Sequence, residues 1–425
     1  MSEHGGATGR GDPIDLDLHA PEFLDDRFGR YAELRERCPV VFDTAYGGFW
    51  FVTDYENVLA VARDTDTFKH QYLPGAPDGV DYEGIVGYPR HPDIPAQGVS
   101  EIDGPDHHDL RRALNGEFSP AAVDALRPQM EAVATWFLDE IVERGHGDLV
   151  LDFTSPVPSV LTLQMMGLPV ENWARYSEFF HTMSAQLPGT PEYDQAMSLA
   201  PGMMEELLGH AAYRREHLGD DITSLLLTME RASGPLTDEQ VGNVMFNLVA
   251  GGVDTTTSLA SQALHHLGTH PEARQRLIDE PELMPLAIEE YLRYFCPSES
   301  LTRTAARDVE LDGQQIKKGD RLWVSWIGAN RDPKAFDRPD EVVIDRDPNH
   351  HLAFGLGGHR CIGMHLARTE TEVMLREVLT RIPDYEIDPA GYVPYPTNMM
   401  MNGVTTMPAS FTPGPRIGPS SPPFA

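Results

Sequence analysis

Phe354-Gly-Leu-Gly-Gly-His-Arg-Cys-Ile-Gly363 is the stretch on which the reading of this 425-residue chain turns. Four of its ten residues are glycine, at 355, 357, 358 and 363. Glycine lets backbone approach a flat, bulky group closely and aim N–H groups at an anion. Cys361 stands where this loop runs into a helical pattern from about Ile362 to Ile382. A thiolate there is favoured by the helix N-terminus and by neighbouring amides. With no second cysteine nearby, Cys361 does not suit zinc or an iron–sulfur cluster, which need several protein ligands. It suits a metal already held by four other ligands, as a porphyrin holds iron. The bland alternative is a buried structural cysteine beside a tight turn.

Upstream, Thr237-x-x-Gln240 is a capping box that opens a helical pattern continuing to about Leu267, with Gly268 as its stop. In its middle lies Ala250-Gly-Gly-Val-Asp-Thr-Thr-Thr257. Two glycines inside a helix cost about 1 kcal/mol each relative to alanine, so such a segment serves close approach or function. One reading is a glycine-mediated helix crossing with threonine back-bonding. The other is a carboxyl–hydroxyl pair in a helix bulge that relays protons to bound dioxygen. Asn247, Gly251 and Asp254 are spaced i, i+4, i+7, which predicts one shared face. Asn247 there hydrogen-bonds either a polar group of the substrate or a neighbouring backbone.

The string F-x-x-G-x-H-x-C-x-G at residues 354–363 resembles the haem-binding signature of the cytochrome P-450 superfamily, and residues 250–256 resemble its central-helix motif (A/G)-G-x-(D/E)-T-(T/S). Glu290-Tyr-Leu-Arg293 resembles the family's E-x-x-R, and Phe336-x-x-Pro339-Asp340 with Arg346 its meander. Asp103-Gly-Pro-Asp-His107-His-Asp-Leu-Arg111-Arg112 resembles D-P-P-x-H-x-x-x-R, with Gly104 where proline is usual. The resemblance runs from about residue 30 to Pro408. It implies that Cys361 is the axial ligand of haem b iron and that Phe354, Gly355 and Gly363 shape the haem loop. His359, His107, Arg111 and Arg303 become the partners of the two haem propionates. Asp254 becomes the proton gate and Thr255 the oxygen-side hydroxyl, while Asn247, Ala250, Gly251 and Leu301 face the substrate. Gly251 stands where alanine is commoner, which leaves slightly more room above the haem. Glu290, Arg293 and Arg346 take a structural role. Taken alone, an i, i+3 Glu–Arg pair is usually a solvated surface contact.

Composition bounds the partners. Lys plus Arg is 33 and Asp plus Glu is 66, a formal charge of −33. That excludes a basic nucleic-acid binder and a polybasic membrane-surface protein. The 41% of hydrophobic residues can fill a large core. Three cysteines, Cys38, Cys296 and Cys361, are too few for a disulfide framework and fit a reducing cytoplasm. No run reaches the roughly 18 apolar residues that span a bilayer, and the first residues do not read as a signal peptide.

The length prior suggests two or three domains, whereas the resemblance implies one haem-binding unit, mainly α with a small β region. The expected organisation is a frayed, glycine-rich lead at 1–12, the domain at 13–408, and a proline-rich tail at 409–425 without fixed structure. Val40–Asp43 and Phe49–Val52 read as a strand pair, Thr53-x-x-Glu56 as a capping box, and Val309–Ile327 as strands with an Asp312-Gly313 hairpin. The substrate cavity is expected to draw on 70–102, Met183–Met204, the central helix, Ser298–Leu301 and Asn402–Thr406.

The resemblance implies a monooxygenase that inserts one oxygen atom into a mostly apolar small molecule. With no Rossmann fingerprint or flavin-binding segment in these residues, electrons from NAD(P)H are expected through a separate ferredoxin or flavodoxin system. Arg112, Arg360 and Arg368 are the candidate docking residues, and a monomer is expected. The rivals are a peroxygenase or a decarboxylating or C–C bond-forming enzyme of the same fold, and a non-enzymatic haem-thiolate sensor. A peroxygenase should lack the Asp254-Thr255 pair.

Overall fold

Thr237 and Gln240 close the box that their spacing predicts. Gln240 N donates to Thr237 Oγ1 at 3.2 Å, and Thr237 N donates to Gln240 Oε1 at 3.0 Å. From this start the central helix, Asp238–Thr269, runs for 32 residues in the computed structural model, about 48 Å. The structure describes residues 12–87, 90, 94–187, 189–396 and 400–424; the expected lead, through Gly11, lies outside them. Gly268 does not stop the helix. A Cβ there would lie 2.6 Å from Ile387 Cδ1 and 3.1 Å from Tyr385 Cε2, so Gly268 permits a close packing contact. The helix ends two residues before Pro271, which starts the next helix.

The central helix is buried almost all round, as a helix with apolar residues on every side must be. Helices Pro156–Met166, Ala200–Glu216, Met284–Phe295 and Met364–Arg381 pack on it. The β region lies to one side. Its main sheet has five strands in the order Val40–Asp43, Phe49–Val52, Arg321–Ser325, Ser300–Ala305, Phe68–Lys69. Only the second and third are parallel, with Leu322 opposite Trp50. A second apolar core of buried aromatics, Phe49, Trp50, Phe51, Trp323 and Trp326, sits on this sheet. The chain is thus mainly α with a small β part. No described helix is long and apolar enough to cross a membrane.

Three local expectations change. Thr53 does not cap: its buried hydroxyl donates to Pro39 O at 3.2 Å, and the helix Tyr55–Arg63 starts one residue later, at Asp54. The strand reading of 309–327 holds for Val309–Leu311, Gln314–Ile316 and Arg321–Ser325, with Asp312 (φ 49°) and Gly313 (φ 75°) making the hairpin turn. It fails at Trp326, where Ser325 Oγ accepts from Gly328 N at 3.1 Å and caps a short helix, Trp326–Asn330.

The tail is ordered rather than disordered. Pro408–Ser410 pairs with His146–Asp148 and with Glu386–Ile387. Beyond it, Ile417 N and Gly418 N donate to buried Asp139 Oδ2 at 3.1 and 2.8 Å, and Phe424 stacks on Phe137 at 5.7 Å. Arg381 NH2 completes the carboxylate at 2.7 Å. Composition misleads here because proline, with φ already fixed, loses little entropy when a few such anchors hold the chain.

Candidate active site

The loop Phe354–Gly363 turns at Gly355 (φ 61°) and Gly357 (φ 70°), in the left-handed region that favours glycine. Cys361 N then donates to Phe354 O at 2.8 Å, and the helix Met364–Arg381 starts just after Gly363. The turn aims Cys361 Sγ into a deep cavity. Cys361 is exposed on the cavity wall, but enclosure by the surrounding protein still raises its thiol pKa, opposed first by the Gly363 amide and then by the charges of Arg111, Arg368 and Arg360. Those donors favour the thiolate that a metal ligand requires.

The structure brings Cys361, Phe354, Gly355, Gly363, His359, His107, Arg111, Arg303, Asn247, Gly251, Thr255 and Leu301 onto one cavity. Two of the expected residues stand outside it, Ala250 and Asp254. The helix face is turned from the one predicted. Leu248, Gly251, Gly252, Thr255, Thr256 and Leu259 line the cavity, with Asn247 at the edge. The i, i+7 spacing puts Asp254 beyond that edge, and Ala250 further round still. The crossing reading holds at Gly252, and the threonine back-bonding that goes with it is made by Thr255 to Gly251 O and by Thr257 to Val253 O; the bulge of the other reading is not formed. A Cβ on Gly252 would lie 2.6 Å from Thr162 Oγ1, the close approach of a helix crossing. A Cβ on Gly251 would meet nothing within 4 Å. Thr255 Oγ1 donates to Gly251 O at 2.8 Å, which fixes the hydroxyl at the cavity wall. Asp254 is buried on the other side, held by Tyr395 and His181.

One edge of the cavity is cationic. His70, His359 and His107 form a stack, with ring centroids 3.6 and 3.8 Å apart. Arg303 lies beside them, 3% exposed, with NH1 donating to Thr302 O at 2.7 Å. Asp103 is the carboxylate among them, accepting from His359 Nε2 at 3.0 Å and from the His70 and Gln71 amides, each at 3.0 Å. Burial, then the charges of His359 and Arg111, push His107 down to about 3. Burial pushes Arg303 down to about 9. Three buried nitrogens on this edge, Arg303 Nε, His107 Nε2 and His70 Nδ1, make no hydrogen bond among the described residues, with Asp103 Oδ1 3.7 Å from His70 Nδ1. A group with two carboxylates supplies the missing acceptors. An iron protoporphyrin fits this donor set, with a thiolate for its iron and glycines where its flat face passes. Sequence reasoning missed His70. Its only signal is tertiary, because its partner Asp103 lies 33 residues away.

Behind the loop, Glu290 and Arg293 are both fully buried. Arg293 makes two parallel bonds of 2.8 Å to the Glu290 carboxylate. Arg346 Nε at 2.9 Å, Asn349 Nδ2 at 3.1 Å and Val343 N at 2.8 Å fill the remaining acceptor sites. Arg293 also donates to the carbonyls of Asn330, Pro339 and Glu341. This knot joins helix Met284–Phe295 to the 330–349 segment that leads into the thiolate loop.

On the distal side the cavity is lined by Ile85, Val99, Phe118, Met165, Met166, Ile222, Leu248 and Leu301, with Ser100 and Asn247 as its polar spot. Ser100 Oγ donates to Asn247 Oδ1 at 3.0 Å. Among the described residues, Met183–Met204 and Asn402–Thr406 do not line it. Met197 and Met203 are core instead. The expected 70–102 wall contributes His70, Ile85, Val99 and Ser100; its residues 88, 89 and 91–93 lie outside the described residues.

The sequence profile of the Cytochrome P450 family matches residues 33–411. Nocardicin C N-oxygenase from Nocardia uniformis subsp. tsuyamanensis is 33% identical over 409 residues, 94% of this chain and 97% of that protein. 6-Deoxyerythronolide B hydroxylase from Saccharopolyspora erythraea is 30% identical over 401 residues, 92% of this chain and 98% of that protein. Among solved structures, CYP109E1 from Bacillus megaterium in complex with testosterone superposes with a TM-score of 0.82 at 28% identity, covering 92% of this chain and 99% of that one.

Proposed function

The chain belongs to the cytochrome P450 family and is a haem b monooxygenase, and from that premise we propose how its residues divide the work. Bound haem supplies the iron at which one atom of O2 goes into the substrate and the other to water, with electrons from NAD(P)H through a redox partner. Cys361 would hold the haem iron through its thiolate. Arg303 and Arg111 would neutralise the haem carboxylates, and His107, His359 and His70 would donate hydrogen bonds to them. Gly251 leaves open space beside the distal wall. Thr255 presents its hydroxyl to the cavity, pinned by the Gly251 carbonyl, and Asp254 is the acid that supplies it with protons. The catalytic unit runs from about residue 13 through the anchored tail and works as a monomer.

The substrate is a mostly apolar molecule with at least one oxygen function. Apolar side chains line the distal cavity, and the Ser100–Asn247 pair offers the polar contact that orients a hydroxyl or carbonyl. The relatives named for hydroxylating 6-deoxyerythronolide B and for N-oxygenating nocardicin C support an organic small molecule as substrate.

The observation that carries this reading is a single cavity reached by both Cys361 and Thr255 and edged by buried nitrogens that make no hydrogen bond among the described residues. The test is spectroscopic. Reduced protein with carbon monoxide should show the absorption band of thiolate-ligated haem, and Cys361→His should lose it while still binding haem. A parent without that band ends the reading. Compounds are then screened for the shift of the ferric protein from low to high spin. Thr255→Ala should keep the spectra but release peroxide in place of product. Unchanged coupling in that variant removes Thr255 from proton supply.

A further inference from the structure

Asp254 is 2% exposed and turned away from the cavity. Its carboxylate is held in a cluster drawn from three elements. Tyr395, beside the hairpin strand Val393–Pro394, donates from its hydroxyl and lies 2.9 Å from each carboxylate oxygen. His181, from helix Trp173–Ala185, places Nδ1 3.1 Å from Asp254 Oδ1 and 3.0 Å from the Tyr395 oxygen. Its other nitrogen, Nε2, lies 3.2 Å from the Thr405 carbonyl oxygen.

The protons follow from these contacts. A carbonyl can only accept, so Nε2 carries a hydrogen. Tyr395 has one hydrogen, and it goes to the carboxylate. Nδ1 then faces a carboxylate and a hydroxyl oxygen, both acceptors, so it carries a hydrogen too. A ring with two N–H groups is a cation. With Asp254 as a carboxylate, His181 is thus an imidazolium paired with it inside the protein. Burial alone lowers the pKa of His181, but the hydrogen bond and charge of Asp254 outweigh it, helped by the Thr405 carbonyl and the more distant Asp148, and the net shift is upward. Burial and the Asp254 charge hold Tyr395 far above its ordinary value, so it stays a donor.

We propose that His181 is the positioning residue that controls when Asp254 carries a proton to the cavity. This rests on the role proposed above for Asp254. As a carboxylate, Asp254 is locked by its charge-assisted bonds. Transfer of the Nδ1 hydrogen to Oδ1 breaks an N–H bond, forms an O–H bond and leaves imidazole beside a carboxylic acid, both neutral. The neutral pair is held less tightly, so the acid can turn toward the cavity face and give its proton to Thr255 Oγ1 as Thr255 passes its own hydroxyl hydrogen to an acceptor in the cavity. It then returns as carboxylate, and His181 regains a proton from solvent. The cluster also ties helix Trp173–Ala185 and Tyr395 to the central helix.

Two measurements test this on the haem-loaded protein. With 15N-histidine labelling, the His181 ring, assigned by its loss in His181→Gln, should show both nitrogens protonated at about pH 7 and lose that state in Asp254→Asn. A neutral His181 ring in the parent at that pH overturns the proposal. Oxygen consumption driven by a ferredoxin and its reductase, without added substrate, is then followed from about pH 6 to 9. In the parent the peroxide released per O2 should step upward as pH rises through the His181 pKa; in His181→Gln it should be high and flat. Tyr395→Phe should raise peroxide but keep the step, because the titrating group remains. A parent-like profile in His181→Gln, or loss of the step in Tyr395→Phe, sinks the role of His181. Parent-like values in Asp254→Asn would sink the role of Asp254 as well, which separates the two failures.

Discussion

A buried guanidinium normally sits against a carboxylate, because an uncompensated charge in low dielectric is costly. Arg303 is 3% exposed, yet it makes no ion pair among the described residues; Asp103 acts on it only through its charge. Burial depresses its pKa, which states the same imbalance: a buried guanidinium held without a bonded anion. Haem carboxylates redress it, so Arg303→Gln should weaken haem retention. A charge-assisted bond contributes about 1.5–3 kcal/mol, which is roughly 10- to 100-fold in the rate of haem loss to a scavenging haem protein. His70→Ala removes a neutral donor and should cost only a few-fold. Retention in Arg303→Gln equal to the parent's would take this edge away from the carboxylates. His70 also shows where residue-level reading stops. The glycines, Cys361 and His359 stand in one short string, and His107 and Arg111 in another, so each set can be read locally. His70 reaches the same edge only because its strand closes the sheet beside Ser300–Ala305.

At the scale of elements, the two adjacent glycines of the central helix make opposite predictions. Alanine at 251 has open space on its Cβ side and gains helix propensity, so Gly251→Ala should stabilise by about 0.5–1 kcal/mol while narrowing the cavity. Alanine at 252 drives into Thr162, a stiff, buried, β-branched neighbour, and should destabilise by about 1–3 kcal/mol despite the same propensity gain. Urea unfolding of the two haem-loaded variants reads the difference, and equal midpoints would mean the crossing helix yields freely. The sequence carried the existence of this helix, its start and its functional middle, because capping and glycine content are local. It did not carry the rotation of the helix. An i, i+4, i+7 set selects a face but not its centre, and only the crossing at Thr162 fixes which side meets the cavity. The same limit explains Met183–Met204, whose methionines pack into the core, and the proline-rich tail, whose order depends on the buried Asp139 carboxylate of a distant helix.

For the whole molecule, a charge of −33 repels the acidic electron carriers that such an enzyme needs. We infer that docking uses a local excess of positive charge behind the thiolate loop. A second depression lies there, lined by Arg63, Arg360 and Arg368 with His350 and Glu289. The arginines differ in what they can offer. Arg112 is paired with Asp109 at 2.6 Å, and Arg368 makes bonds of 2.5 and 2.8 Å to Glu289. Burial would raise the Glu289 pKa, but the bonds from Arg368 and His351 bring it down to about 2, so Glu289 stays ionised at every working pH and neutralises Arg368. Arg360 and Arg63 make no ion pair among the described residues. We infer that Arg360, next to the thiolate, with Arg63 beside it, attracts the carrier, and that Arg368 is held in reserve. Arg360→Glu should then raise the KM for ferredoxin about tenfold at low salt and flatten its salt dependence. Arg112→Glu should do much less, and Glu289→Gln should lower the KM by releasing Arg368. Equal effects at 112 and 360, or an unchanged salt dependence in Arg360→Glu, would place the electron-transfer contact elsewhere on the acidic surface.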